Sequence, residues 1–269
     1  MSTVITAVIV LLALVAALMA LVRLIEPRLA FFPTAGEDVT PRDFGARFDA
    51  VAITTADGER LHAWSLPADV PRAQVVYFHG NGGNLSVWAP ILAALPRHGY
   101  STLAVDYRGY GRSTGQPSER GLYRDVAAVL EYAWQHRDAR VPMVYWGRSL
   151  GTAMAAAAAS VKPPDRIVLE SGFPDAATLV RSSPLLALLA LFSTYRFPTA
   201  DMMRGVRVPV LVMHGDRDGV IPFQIGRALF DRLEDPKQFV TIRGGDHNDA
   251  VPPDAAAYWS AVEAFILGM

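Results

Sequence analysis

The sequence predicts an open, mostly parallel α/β sheet flanked by helices. Two observations carry that expectation. Short apolar runs alternate with longer amphipathic ones along most of the chain, the pattern of parallel strands joined by crossover helices. Each strand candidate then ends in a glycine-containing loop.

The elements follow in order. AVAITTADGERLHAWSLP, from Ala50, carries a central Asp57-Gly58 turn signal between two alternating stretches and predicts a hairpin. AQVVYFHG (73–80), STLAVDYRG (101–109), VPMVYWG (141–147), RIVLESG (166–172), VPVLVMHG (208–215) and QFVTIRG (238–244) read as buried strands. Helices are expected over Leu85 to Arg97, Ser118 to Arg137, Ser149 to Val161, Pro222 to Leu233 and Asp254 to Leu267. The alanine run at 153–159 reads as a strong helix former. Between Ser171 and Val208 about 35 residues break the rhythm, more than an ordinary crossover needs. They include PLLALLALF at 184–192, apolar on every face and too short to cross a bilayer.

The bulk composition narrows the field. Of 269 residues, 51% are hydrophobic and the net charge is −1, which excludes whole-chain disorder. It also argues against a nucleic-acid partner, which would call for a basic stripe. Lys162 and Lys237 are the sole lysines, so arginine supplies nearly all the positive charge. With no Cys, a disulfide framework, a thiolate metal site and a thiol nucleophile are all ruled out.

The N-terminus differs in kind. Nineteen residues from Val4 to Val22 carry no charge, and as a helix they span about 28 Å at about 1.5 Å per residue, enough to cross the hydrocarbon core. A cleaved signal peptide competes with an uncleaved anchor. No Lys or Arg precedes the run and no A-x-A site closes it, which favours the anchor. Arg23, Arg28, Arg42 and Arg47 follow the span, so the positive-inside rule places the large domain on the cytoplasmic face. The expected organisation is an anchor over 1–25, a Pro- and Gly-punctuated connector over 26–49, and a catalytic domain over 50–269 with an insertion at about 173–205.

Ligands of open α/β sheets sit beyond the carboxyl ends of the strands, so residues just after each strand are the candidates. Gly147-Arg148-Ser149-Leu150-Gly151 lies between a strand and a helix, the context of a nucleophile elbow. The turn is too tight for side chains at both flanks, hence the glycines. The bland reading, a serine that caps a helix, explains fewer of these residues. His79-Gly80-Asn81-Gly82-Gly83-Asn84 follows an earlier strand. As a dinucleotide cradle it lacks the third glycine of G-x-G-x-x-G, whereas an oxyanion hole completed by the Leu150 N–H accounts for both loops.

A serine nucleophile needs a base, and the base needs a carboxylate to fix its tautomer. His62, His98 and His136 lie on an early strand or near helix ends, and His79 and His214 precede glycines where loops are held. His247, in Gly244-Gly245-Asp246-His247-Asn248-Asp249 after the last strand, is the base. For the acid, Asp218 in HGDRDGVIP is favoured because a carboxylate there can swing toward His247. Asp216 and Glu170 remain its competitors, with Asp106 also at a strand end.

The motifs HGNGGN, DYRGYGRSTGQPSE, GRSLG, HGDRDGVIP and GGDHND, in this order, resemble the α/β-hydrolase superfamily. More narrowly, they are similar to its membrane-anchored branch of the bud-emergence type, related to the α/β-hydrolase-domain-containing serine hydrolases. The apolar N-terminus and the EPRLAFFP stretch after it match that pattern as well. The resemblance implies an α/β-hydrolase fold with a short cap insertion, a Ser149–Asp218–His247 triad, and oxyanion N–H groups from Asn81 and Leu150. It implies carboxylic ester hydrolysis through an acyl-serine intermediate, with no metal or organic cofactor and a small-molecule acyl ester as substrate. A thioesterase or serine peptidase with the same triad, and a catalytically silent binding module, are the alternatives. The 184–192 stretch is then either core against the sheet edge or a cap over Ser149 that lines an acyl pocket.

Overall fold

The computed structural model describes residues 2–181 and 194–268. The expectations for PLLALLALF at 184–192 therefore lie outside the described residues.

Among the described residues ten strands can be assigned: β1 (Phe32–Pro33), β2 (Asp49–Thr54), β3 (Arg60–Leu66), β4 (Ala73–Phe78), β5 (Gly82–Gly83), β6 (Tyr100–Val105), β7 (Met143–Arg148), β8 (Arg166–Glu170), β9 (Val210–Gly215) and β10 (Lys237–Ile242). Eight of them form one sheet in the order β10-β9-β8-β7-β4-β6-β3-β2. In it β3 alone runs against its neighbours, because the Asp57-Gly58 turn folds β2 and β3 into the expected hairpin. From β4 the chain steps first to β6 on one side and then to β7 on the other. The crevice between the carboxyl ends of β4 and β7 is thus the switch point where ligands bind in such sheets.

Helices cover both faces. On one side lie α3 (Glu119–Gln135) and α4 (Leu150–Val161), with Leu122, Val126, Val129 and Met154 packed on Phe78, Tyr145 and Leu169. The other face is covered by α2 (Leu85–Ala94) and the helix Ala255–Leu267, which bury Trp88, Leu92, Val262 and Phe265 against Tyr77, Trp146 and Leu211. Ser118 caps α3 by accepting from the Gly121 N–H, and Asn84 caps α2 by accepting from the Ser86 N–H. In α4 the alanines at 153, 155, 156, 158 and 159 are fully buried. They do more than favour a helix: their small size brings α4 close against the sheet.

The N-terminal helix α1 (Ser2–Ala30) is the one described helix long and apolar enough to cross a membrane. Its Thr3–Arg28 stretch has a mean hydropathy of 3.1 and none of it is buried in the protein. Val4, Ile9, Leu12, Leu14 and Leu21 all stand more than half exposed, an apolar surface that water would not tolerate without cover. The helix runs on to Ala30, so the first residues of the expected connector are helical. Two contacts explain the extension. The buried Glu26 carboxylate accepts from the Thr194 N–H (2.9 Å) and hydroxyl (2.7 Å), and the Phe31 N–H closes onto the Pro27 carbonyl at 3.0 Å.

Candidate active site

Ser149 begins at the backbone. It joins β7 to α4 with φ 54° and ψ −119°, a left-handed conformation that a non-glycine residue holds only where the surroundings impose it. A Cβ on Gly147 would lie 2.1 Å from the Gly151 carbonyl oxygen, and one on Gly151 would lie 1.9 Å from that of Phe78. Both contacts are to main chain, which cannot give way. The Ser149 N–H is held by the Glu170 carbonyl at 2.8 Å, and the Ser149 carbonyl accepts from the Thr152 hydroxyl at 2.7 Å. The elbow is therefore fixed on both sides. Gly151→Ala is expected to abolish the cooperative thermal unfolding transition of the wild type, because no side-chain movement relieves a clash with β4; a normal transition would show that the elbow can yield.

The hydroxyl so presented meets an imidazole and a carboxylate in line. His247 Nε2 lies 3.0 Å from Ser149 Oγ, and His247 Nδ1 lies 2.8 Å from Asp218 Oδ2. With Nδ1–H donated to the carboxylate, Nε2 is left as an acceptor facing the serine. All three residues are buried, with Ser149 and His247 each 7% exposed and Asp218 8%. Asp218 Oδ1 accepts from the N–H groups of Val220 and Ile221, so the turn expected at Gly219–Pro222 aims its second oxygen at the imidazole. Burial alone would raise the Asp218 carboxyl, but hydrogen bonds with His214 and His247 together outweigh it and hold the group well below the usual carboxylate range.

The other carboxylates are engaged elsewhere. Asp216 is exposed and accepts from the Gly244 N–H at 2.7 Å, bracing its loop. Glu170 accepts from Trp146 Nε1 and the Tyr258 hydroxyl and pairs with Arg148 at 3.2 Å. Asp106 accepts from the Leu85 N–H at 2.9 Å. Of the remaining histidines, His214 Nε2 donates to the Ile221 carbonyl at 2.8 Å, and His79 Nδ1 donates to the Gly80 carbonyl at 2.6 Å. His98 pairs with Glu263 and stacks on Trp259.

Two residues that the sequence reading passed over complete the arrangement. Arg148, the variable position of the elbow motif, is 3% exposed. Its Nη2 donates to the carbonyls of His247 (3.0 Å) and Asp249 (2.6 Å), and its guanidinium lies over the Trp88 ring at 4.9 Å. The residue beside Ser149 thus grips the loop that carries His247. Asp246 Oδ1 accepts from the N–H groups of both His247 and Gly219, tying the His247 loop to the Asp218 loop. Arg148→Met would strand the Glu170 charge in the interior. Unfolding free energy is expected to fall by about 3–5 kcal/mol, measured by urea denaturation, and a loss under about 1 kcal/mol would show that the pair is not needed for stability.

The glycine loop after β4 sits across from the elbow. A Cβ on Gly80 would lie 3.4 Å from Ser149 Cβ, so Asn81 follows directly on a residue packed against the serine. Leu150 begins α4, whose first N–H groups have no partner within the helix and sit at its positive end. Among the described residues no group of three or more His, Asp or Glu is placed to hold a metal ion.

A family model for the alpha/beta hydrolase fold matches residues 74–180, from β4 to the segment after β8. An uncharacterized protein of Mycobacterium tuberculosis is 33% identical over 245 residues, which cover 90% of this chain and 87% of that protein. The chain belongs to the α/β-hydrolase superfamily. This α/β hydrolase is also similar to the lysophosphatidylserine lipase ABHD12 of Mus musculus, 31% identical over 189 residues covering 62% of this chain and 47% of the lipase. Among solved structures, the esterase Pf2001 of Pyrococcus furiosus superimposes with a TM-score of 0.71 at 20% identity, over 87% of this chain and 95% of the esterase, a likeness of fold.

Proposed function

We propose that this α/β hydrolase is a membrane-anchored serine hydrolase that cleaves carboxylic esters through an acyl-serine intermediate. The observation that carries the reading is the continuous hydrogen-bonded series Ser149–His247–Asp218 at the switch point of the sheet. His247 takes the Ser149 proton as Oγ attacks the acyl carbon, and the ionised Asp218 stabilises the imidazolium that forms. The Asn81 and Leu150 N–H groups are the donors to the oxyanion on this reading, and fixed donors are worth most there because no solvent has to reorganise. His247 then protonates the departing alcohol. Water repeats the cycle on the acyl-serine and releases the carboxylate.

Serine at the elbow, rather than aspartate, supports acyl transfer over alkyl-ester chemistry. The esterase and lipase named among the similar proteins act on the same bond class, which favours esters over amides. Turnover of p-nitrophenyl esters of increasing acyl length, beside matched thioesters and anilides, tests the choice. Esters are expected to lead; anilides ahead of esters would make the protein a peptidase, and no turnover of any series would make it a binding module.

The exposed apolar surface of α1 supports a membrane-embedded helix; the lack of an A-x-A site supports an uncleaved anchor, and Arg23, Arg28, Arg42 and Arg47 after the span support a cytoplasmic catalytic domain. The full-length protein is expected to stay with membranes through carbonate extraction. Removal of residues 1–22 is expected to release a folded, active domain. An N-terminus found cleaved near Ala20 would replace the anchor with a signal peptide.

A further inference from the structure

Helix α1 does not merely precede the catalytic domain; its exit is built into the loop that faces the nucleophile. The last carbonyls of any helix lack intrahelical partners. That of Ala30 is satisfied by the side-chain amide of Asn81, whose Nδ2 donates to it at 2.7 Å. Directly afterwards β1 pairs in parallel with β5, Phe32 opposite Gly82 and Pro33 opposite Gly83, and the Thr34 N–H donates to the Gly83 carbonyl at 2.8 Å. Asn84 Nδ2 donates to the Thr34 and Gly36 carbonyls. On the far side of the loop the Tyr110 hydroxyl lies 3.0 Å from the Asn81 carbonyl oxygen and 2.8 Å from its Oδ1. The Gly111 N–H in turn donates to the Thr34 carbonyl, closing the ring of contacts around 79–84.

A loop rich in glycine has little intrinsic stiffness. Here its conformation is supplied from outside, by the strap 30–36 on one side and Tyr110 on the other. We propose that the Asn81 side chain is a positioning group: anchored to the Ala30 carbonyl at the end of α1, it aims the Asn81 main-chain N–H at the oxyanion. The inference rests on the ester-hydrolase reading, and it makes turnover depend on how the end of the apolar helix is seated.

Asn81→Ala tests this, since it keeps the main-chain N–H and removes the side chain with its bond to the Ala30 carbonyl, while the Tyr110 hydroxyl keeps the residue-81 carbonyl as a partner in place of Oδ1. In full-length protein in detergent, kcat for a p-nitrophenyl ester is expected to fall by about 10- to 100-fold with KM within about twofold. Binding of an alkyl trifluoromethyl ketone, whose hemiketal oxygen occupies the oxyanion site, is expected to weaken in parallel with kcat. A tether that serves only the fold would lower melting temperature and leave the ratio of ketone affinity to KM unchanged, which overturns the proposal. Should Asn81→Ala fail to fold, Tyr110→Phe removes the opposite brace and decides on the same two readouts: a lower kcat with weaker ketone binding supports the proposal, and unchanged values overturn it. The two readings separate at the wild type. If the wild type is neither labelled by a fluorophosphonate nor active, the ester-hydrolase reading fails and this inference with it. If it is labelled and active while both variants match it, this inference alone fails.

Discussion

Ser149→Ala is expected to cut ester turnover by about 10⁵- to 10⁶-fold, the scale on which serine hydrolases respond to loss of the nucleophile. The structure gives the reason for so large an effect. No other hydroxyl among the described residues meets His247 Nε2 within hydrogen-bond distance, so the base has no substitute to activate. Alanine also removes a single atom at a position whose backbone is held by the Glu170 carbonyl and by Thr152, so the fold around it is expected to persist. A fluorophosphonate probe should therefore label the wild type and leave the variant unlabelled, at equal melting temperature. Labelling that survives the substitution would move the nucleophile to another residue.

Asp218→Asn is expected to cost about 10⁴-fold in kcat, because an amide in this place favours the wrong imidazole tautomer and leaves the cation without its counter-charge. Its neighbours supply internal controls. Asp216→Asn changes an exposed loop brace, and its effect on kcat is expected to stay within about tenfold. Glu170→Gln disturbs the Arg148 pair and so is expected to act on stability first and on activity through it. A kcat loss from Glu170→Gln that exceeded the loss from Asp218→Asn would transfer the acid role to β8. The pH dependence has a definite sign. Because folding depresses the Asp218 pKa below 3.8, its stabilising contribution is complete above that pH and is lost as pH falls through the folded value. The stability difference between wild type and Asp218→Asn is accordingly expected to be greatest near neutrality and to shrink in acid.

The legible features were those set by local sequence. A strand, a glycine-flanked serine and a helix within about a dozen residues dictate the elbow, and the same holds for the loops that bring Asp218 and His247 to it. That Asp218 rather than Asp216 reaches His247 was legible from its place farther along the loop, and the two lie 2.8 Å apart while Asp216 braces Gly244. What the sequence did not disclose depends on partners far apart in the chain. Arg148 occupies the one elbow position that the motif leaves free, yet it grips carbonyls about a hundred residues away. Glu170 looked like a candidate acid because nothing in its neighbourhood reveals Arg148, Trp146 and Tyr258 closing around it. The Asn81 side chain meets Ala30 across 51 positions, with no periodicity to announce it. Hydrophobic pattern reports which face is buried, and it says little about which polar groups find one another there.

The alanines of α4 limit what can be redesigned. Every methyl at 153, 155, 156, 158 and 159 already touches neighbours on all sides, and an added methylene in such packing costs about 1–3 kcal/mol. The floor beneath the nucleophile can therefore not be remodelled by enlarging its side chains one at a time. New substrate scope has to be sought in the loops above the sheet, at positions other than Asn81 and Asp246, whose side chains hold those loops in place.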